Sequence, residues 1–114
     1  MIDSYQFGLI IINKIPYDHD VIILPDRVQS NWWRKEGHKL HSVDIQNEID
    51  LIQPQSLIVG TGKFGMMKVS QELKDYLEKH HIELYAESTD KAVKIYNRII
   101  LNEVNVLGAF HLTC

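Results

Sequence analysis

Apolar spacing changes character twice along this chain. Over residues 7–12 and again over 15–24, isoleucines and aromatics run with little polar interruption, as in strands covered on two faces or by a partner. Asn13-Lys14 between the runs predicts a tight connection and therefore an N-terminal β-hairpin. Pro16 cannot donate to a ladder, so it predicts an edge position or an interruption. Asp18-His19-Asp20 predicts a bulge or turn before the apolar run resumes at Val21, and Pro25-Asp26 ends it. Residues 27–40 hold no period. They predict a short strand around Trp32-Trp33, a turn at Gly37 and a second short strand over 39–41. Ile45, Ile49 and Ile52 then fall four and three apart, one face of a short helix that Ser42 or Asp44 would cap and Pro54 would stop.

Beyond Pro54 the pattern alternates strand and helix. A strand at 57–59 runs into Gly60-Thr61-Gly62, and Ser70 is placed to cap a helix whose Leu73, Tyr76, Leu77 and His80 share a face. A strand at 82–86 follows. Ser88 or Thr89 would then cap a helix with an apolar stripe of Ala92, Val93, Tyr96, Ile99 and Ile100, and a last strand is expected over 104–112. Strands joined through helices are candidates for parallel neighbours with right-handed crossovers, which makes the class α/β. Tyr96 on the buried stripe needs a polar partner for its hydroxyl, and Asn97 beside it is expected to hydrogen-bond a neighbouring loop.

Composition narrows this to one domain over residues 1–114. With 45% hydrophobic and 24% charged residues the chain can bury one real core. A formal net charge of −3 provides no footprint for a nucleic-acid backbone. Cys114 is the single cysteine, so no internal disulfide forms. The first residues lack the marks of a secretory or mitochondrial leader, and the run Leu9 to Ile12 is too short to span a bilayer. A cytoplasmic protein is expected.

Candidate chemistry is sparse. Gly60-x-Gly62-x-x-Gly65 satisfies a dinucleotide fingerprint by letters, but Met66-Met67-Lys68-Val69 intervene before the helix cap, and the chain is too short for two mononucleotide halves. No cofactor is expected. The same turn could hold a small anion in backbone amides at Gly60, Thr61 and Gly62, with Lys63 adding charge and Ser88 and Thr89 closing the rim; a purely structural turn is its rival. His111 and Cys114 are three apart on an extended strand and so point to opposite faces, which argues against a thiol–imidazole pair. Asp18, His19, Asp20, His38, His80 and His81 include no imidazole pair at helical spacing, and no metal is expected. Trp32, Trp33 and Arg34 either stack on a ligand or cap the core with the arginine paired to an acid.

As a set, Trp33-Arg34 with Gly37-His38, the strand ending in Gly60-Thr61-Gly62, the Thr89-x-x-Ala92-Val93-x-x-Tyr96-Asn97 helix and the closing Gly108-Ala109-Phe110-His111-Leu112-Thr113-Cys114 resemble the Mth938-domain family. The likeness covers essentially the whole chain. It implies a compact three-layer α/β fold, a central mixed sheet with flanking helices, beside the N-terminal hairpin. That family includes a mitochondrial complex I assembly factor and an adipogenesis-associated cytosolic protein, alongside prokaryotic members of unassigned function. The resemblance carries no catalytic residue, and without a presequence the organelle role does not transfer. The expectation is a protein-binding or assembly-factor-like module using the hairpin edges and the surface of Trp32, Trp33 and Arg34. The alternative is a small-anion-binding protein using the glycine turn, and a hydrolytic or thiol enzyme comes last. Self-association stays open.

Overall fold

The computed structural model describes all 114 residues, Met1–Cys114. Its first elements are strands β1 (Ile2–Gln6), β2 (Leu9–Ile12) and β3 (Ile15–Tyr17), an antiparallel meander. Asn13 and Lys14 both adopt positive φ, 49° and 69°, the two-residue hairpin turn whose twist matches the flanking strands. Pro16 sits in β3, the edge strand, as its missing donor requires. Two expectations change here. The polar stretch Asp3-Ser4-Tyr5-Gln6 pairs as β1, and the 15–24 run divides between two sheets, because Asp18-His19-Asp20 carries the chain from β3 to β4 (Val21–Ile23).

β5 (Val28–Gln29) turns back on β4, and then the backbone from Ser30 to Gly37 forms neither strand nor helix. The expected strand at Trp32-Trp33 is therefore absent. Trp32 is a plug: 6% exposed, its indole N–H donates to the Asp44 carbonyl at 3.0 Å. β6 (Lys39–Leu40) leads to a 3-10 turn at Ser42–Asp44 and helix α1 (Gln46–Ile52), which stops where Gln53 takes a left-handed φ of 48°. The remaining elements are β7 (Ser56–Thr61), β8 (Lys68–Val69), α2 (Gln71–Lys79), β9 (Glu83–Glu87), α3 (Thr89–Ile99) and β10 (Val106–His111). β6 and β8 form a small parallel pair.

The central sheet runs β5-β4-β10-β7-β9, with β7 parallel to both β9 and β10 and β4 antiparallel to β10. Alternation along these strands separates two cores. Ile22, Leu57, Val59, Leu107 and Ala109 pack with Ile45 and Ile49 beside α1 and with Leu73 and Leu77 of α2. Ile23, Ile58 and Phe110 face the other way, onto Ala92 and Tyr96 of α3 and onto Ile2, Ile10 and Ile12 of the meander. The result is a three-layer α/β fold. From β7 the chain moves outward through α2 to β9, then α3 returns it across β7 to β10. Right-handed crossovers running in opposite directions must lie on opposite faces, as these helices do.

Of the expected helix caps one bonds as foretold, and α1 begins after Ile45 with neither Ser42 nor Asp44 capping it. Ser70 Oγ accepts from Leu73 N–H at 3.1 Å and caps α2. His80 ends that helix exposed, its ring 4.3 Å from Tyr76. Ser88 occupies the cap position of α3 without a side-chain cap bond. Asn97 bonds the first strand and no loop: its Oδ1 accepts from Ile2 N–H at 2.9 Å and its Nδ2 donates to Ile2 C=O at 2.8 Å. Tyr96 lies edge-on to Phe110, its hydroxyl makes none of the side-chain hydrogen bonds, and burial pushes its pKa up to about 12. No helix is long and apolar enough to cross a membrane.

Candidate functional site

The carboxyl ends of β7 and β10 meet the start of α3, and there the chain bonds to itself. Gly62 N–H donates to Thr89 Oγ1 at 2.9 Å, the Thr89 hydroxyl donates to His111 C=O at 2.7 Å, and Thr89 N–H donates to Gly62 C=O at 3.0 Å. Lys63 N–H goes to Thr113 C=O at 2.9 Å, and its ammonium lies 3.0 Å from Asp90. The turn and the Thr89 loop are brought together as expected, with the amides at Gly62 and Lys63 engaged. The glycines serve this closure. A Cβ at Gly60 would sit 2.9 Å from Thr89 Oγ1, and one at Gly62, where φ is 102°, would sit 2.8 Å from Thr113 C=O and 3.0 Å from the His111 ring. Ser88 is half-buried beside them.

One strand further across, a different cluster forms. Val21 of β4 faces Phe110 of β10, so antiparallel pairing sets Asp20, which precedes β4, against His111 and Leu112. Asp20 Oδ1 accepts from Leu112 N–H at 2.8 Å, and Oδ2 accepts from Arg34 Nη1 and His111 Nδ1, each at 2.7 Å. Side-chain exposures of 5% for Arg34, 8% for His111 and 14% for Asp20 make this a buried ionic cluster. Arg34 also lies 4.8 Å from the centre of the Trp32 ring, and its Nη2 donates to Gly37 C=O at 3.2 Å.

Burial opposes ionisation of Asp20, but the hydrogen bonds from His111, Leu112 and Arg34 outweigh it and hold the carboxyl below its ordinary value. An ionised Asp20 requires the proton of His111 on Nδ1. Arg34 Nη2, 3.1 Å from that nitrogen, is then a neighbour and not its donor. Two buried polar atoms stay unpartnered in the same cluster, His111 Nε2 and Arg34 Nε. Each such atom ordinarily costs about 1–3 kcal/mol.

A cleft of about 260 Å³ opens over the cluster, with Asp18, His19 and Trp33 on its outer wall. Trp33 is 78% exposed, and its ring is 6.3 Å from that of His19 at 57°. The expected Trp32, Trp33 and Arg34 surface thus divides: Trp32 and Arg34 are buried, the arginine paired to an acid, and Trp33 alone faces out. Sequence reasoning missed the Asp20–His111 pair. Both residues stood out singly, but 91 positions separate them, and only an antiparallel 21–24 strand beside the last strand would have revealed the pairing. A second cleft, about 430 Å³, lies between Tyr96, Ile100 and Arg27. Neither cleft is lined by Gly60, Thr61, Gly62, Lys63, Ser88 or Thr89. Nowhere do three metal-ligating side chains gather, and Cys114 is exposed on the tail after β10.

Solved structures share this arrangement of elements. Protein PH1505 from Pyrococcus horikoshii OT3, described as a conserved hypothetical protein, is similar at a TM-score of 0.81 and 26% identity, over 100% of this chain and 99% of that one. XCC1710 from Xanthomonas campestris matches at a TM-score of 0.83 and 18% identity, over 98% of this chain and 83% of that one. A Bordetella pertussis protein described as a Mth938-like domain matches at a TM-score of 0.78 and 19% identity, over 98% of this chain and 85% of that one. Residues 2–111 match the family described as protein of unknown function (DUF498/DUF598), and the chain belongs to that family.

Proposed function

We propose that this chain is a protein-binding module whose contact surface centres on Trp33, with the cleft beside it receiving a side chain of the partner. The observation that carries this reading is the 78% exposure of Trp33 on a segment anchored by its two neighbours, the buried Trp32 and the ion-paired Arg34. A large aromatic held in place from beneath loses little freedom when a partner covers it, which is the behaviour of interface anchors. The alternative, a small anion at Gly60, Thr61, Gly62 and Lys63, has fewer free donors to draw on, because the Gly62 and Lys63 amides already bond Thr89 and Thr113.

The test is comparative capture with tagged wild type, Trp33→Ala and Leu101→Ala, the last a control at a residue 71% exposed elsewhere. Both variants should keep the thermal midpoint, since exposed substitutions cost about 0.5 kcal/mol or less. Partners retained by wild type and Leu101→Ala should be lost from Trp33→Ala. An unchanged set on Trp33→Ala would reject this surface.

A further inference from the structure

We infer that the cleft between α3 and the β4–β5 end of the central sheet binds a small neutral molecule, an aliphatic body whose carbonyl oxygen accepts from the Tyr96 hydroxyl. Val106, which opens β10, lines this cleft together with Ile23 of β4, Val28 of β5 and Ile100 at the end of α3. The cleft therefore lies at the far end of β10 from His111, and the site is independent of the interface proposed around Trp33. Its volume of about 430 Å³ falls in the range of small-molecule sites, about 300–1,000 Å³.

The Tyr96 hydroxyl is a polar group that the fold leaves unspent. It makes none of the side-chain hydrogen bonds, yet the atoms that are both sealed and unpartnered are Arg34 Nε, Ser42 Oγ and His111 Nε2. The Tyr96 oxygen is thus open to the outside, and the cleft that Tyr96 lines is its opening. The rest of the side chain is fixed: the residue is 5% exposed, and its ring stands edge-on to Phe110 with centres 5.8 Å apart. The hydroxyl is therefore held at a set position, and nothing has to move to present it. Burial pushes its pKa up to about 12, so it keeps its proton and donates at physiological pH.

Charge and walls decide what carries the acceptor. Arg27 Nη1 is taken up by Asp26 at 3.0 Å, the Met1 ammonium donates to Asn13 Oδ1 at 2.8 Å, and Glu103 accepts from Ser56 Oγ at 2.8 Å. Arg27 and Met1 on one side, Asp26 and Glu103 on the other, balance around the cleft and leave no net charge to hold an ion. An alcohol would use the phenol as an acceptor, its weaker role, whereas a carbonyl oxygen takes its proton. The other walls are hydrocarbon. Ile12, Ile23 and Val106, at 1%, 5% and 2% exposure, form a preset floor, and Val104, 85% exposed, is an apolar side chain that the body of the ligand would cover.

The experiment titrates the full chain, wild type and Tyr96→Phe, with 2-heptanone, heptanoate and heptylamine, following the methyl groups of Ile23, Ile100 and Val106 by NMR and the carbonyl stretch of the ketone by infrared. Tyr96→Phe removes an oxygen that bonds no other side chain, so it should fold with an unchanged or higher thermal midpoint. Expected is saturable binding of 2-heptanone, tighter than that of either ion, weakened about three- to tenfold in Tyr96→Phe and unchanged in Trp33→Ala. The stretch of the bound ketone should move to lower frequency on wild type and not on Tyr96→Phe. Equal affinity and an equal stretch on the two proteins would show a merely apolar cleft and overturn the inference. Tighter binding of heptanoate would replace it with an anion site, and tighter binding of heptylamine with a cation site. Methyl groups unmoved by 2-heptanone up to about 10 mM would reject the cleft as a ligand site. Loss of ketone binding in Trp33→Ala would put the ketone in the other cleft and overturn the inference equally.

Discussion

Asp20 ties together groups from two distant parts of the chain: the Leu112 amide, the His111 imidazole and the Arg34 guanidinium on its carboxylate, with the Trp32 amide on its carbonyl at 2.8 Å. Asp20→Asn keeps the shape and removes the charge, leaving the Arg34 cation buried without its counter-ion. Unfolding by urea should show a loss of about 3–5 kcal/mol. Acid supplies an independent check. The folded carboxyl titrates below its ordinary value of 3.8, so the unfolded chain binds a proton first as pH falls. Its contribution is complete above that ordinary value and disappears as pH drops through the folded one. Stability of wild type should decline with acid in that window, and the decline should be shallower in Asp20→Asn. Little of this was legible in the letters. Asp20 read as part of a turn and His111 only as a strand residue facing away from Cys114, because a carboxylate–imidazole contact closed by strand pairing has no sequence spacing to betray it.

At the scale of elements, Thr89 shows why a residue expected to cap a helix does something else. As the first residue of α3 it spends its hydroxyl on Gly62 N–H and His111 C=O, so one side chain joins α3 to the ends of β7 and β10. Thr89→Val would strand a buried amide and lose about 1–3 kcal/mol. Thr89→Ser keeps the oxygen and should recover most of that, as thermal unfolding of the pair would show. Elements with strong periods were readable: the Ser70 cap, the stripe of α3 and the parallel strands stand as the pattern foretold. Those that depend on distant contacts were not. β1 is too polar to announce itself, and it pairs because β2 offers a ladder and Asn97 grips Ile2 at both backbone groups. The tryptophans mimicked a strand by composition, whereas Trp32 is placed by the Asp44 carbonyl and Arg34.

For the whole molecule the central sheet sets the hierarchy of stability. β7 and β10 are buried at all six positions each, while β3 and β5 are edge strands with exposed or half-buried residues. Hydrogen exchange should rank them accordingly, with β7 and β10 amides exchanging only through global unfolding and those of β3 and β5 through local opening. Protection in β10 no greater than in β3 would contradict this order. The same arrangement explains what the letters could and could not disclose about shape. Helical crossovers announced β7, β9 and β10 as neighbours, but nothing local announced that β4 would join the free side of β10 and carry Asp20 with it.

β10 joins β5-β4 on one side to β7-β9 on the other, and of the sheet's strands it is the last to be synthesised. Without β10 the pairs β5-β4 and β7-β9 share no ladder, and the facing rims of β4 and β7 keep an unsatisfied row of amides and carbonyls. The closing step must bring Leu112 to Asp20 across 92 positions, an encounter that topology makes slow. For this fold the vulnerable interval falls just before β10 emerges, when a bound chaperone would most usefully cover the facing rims of β4 and β7.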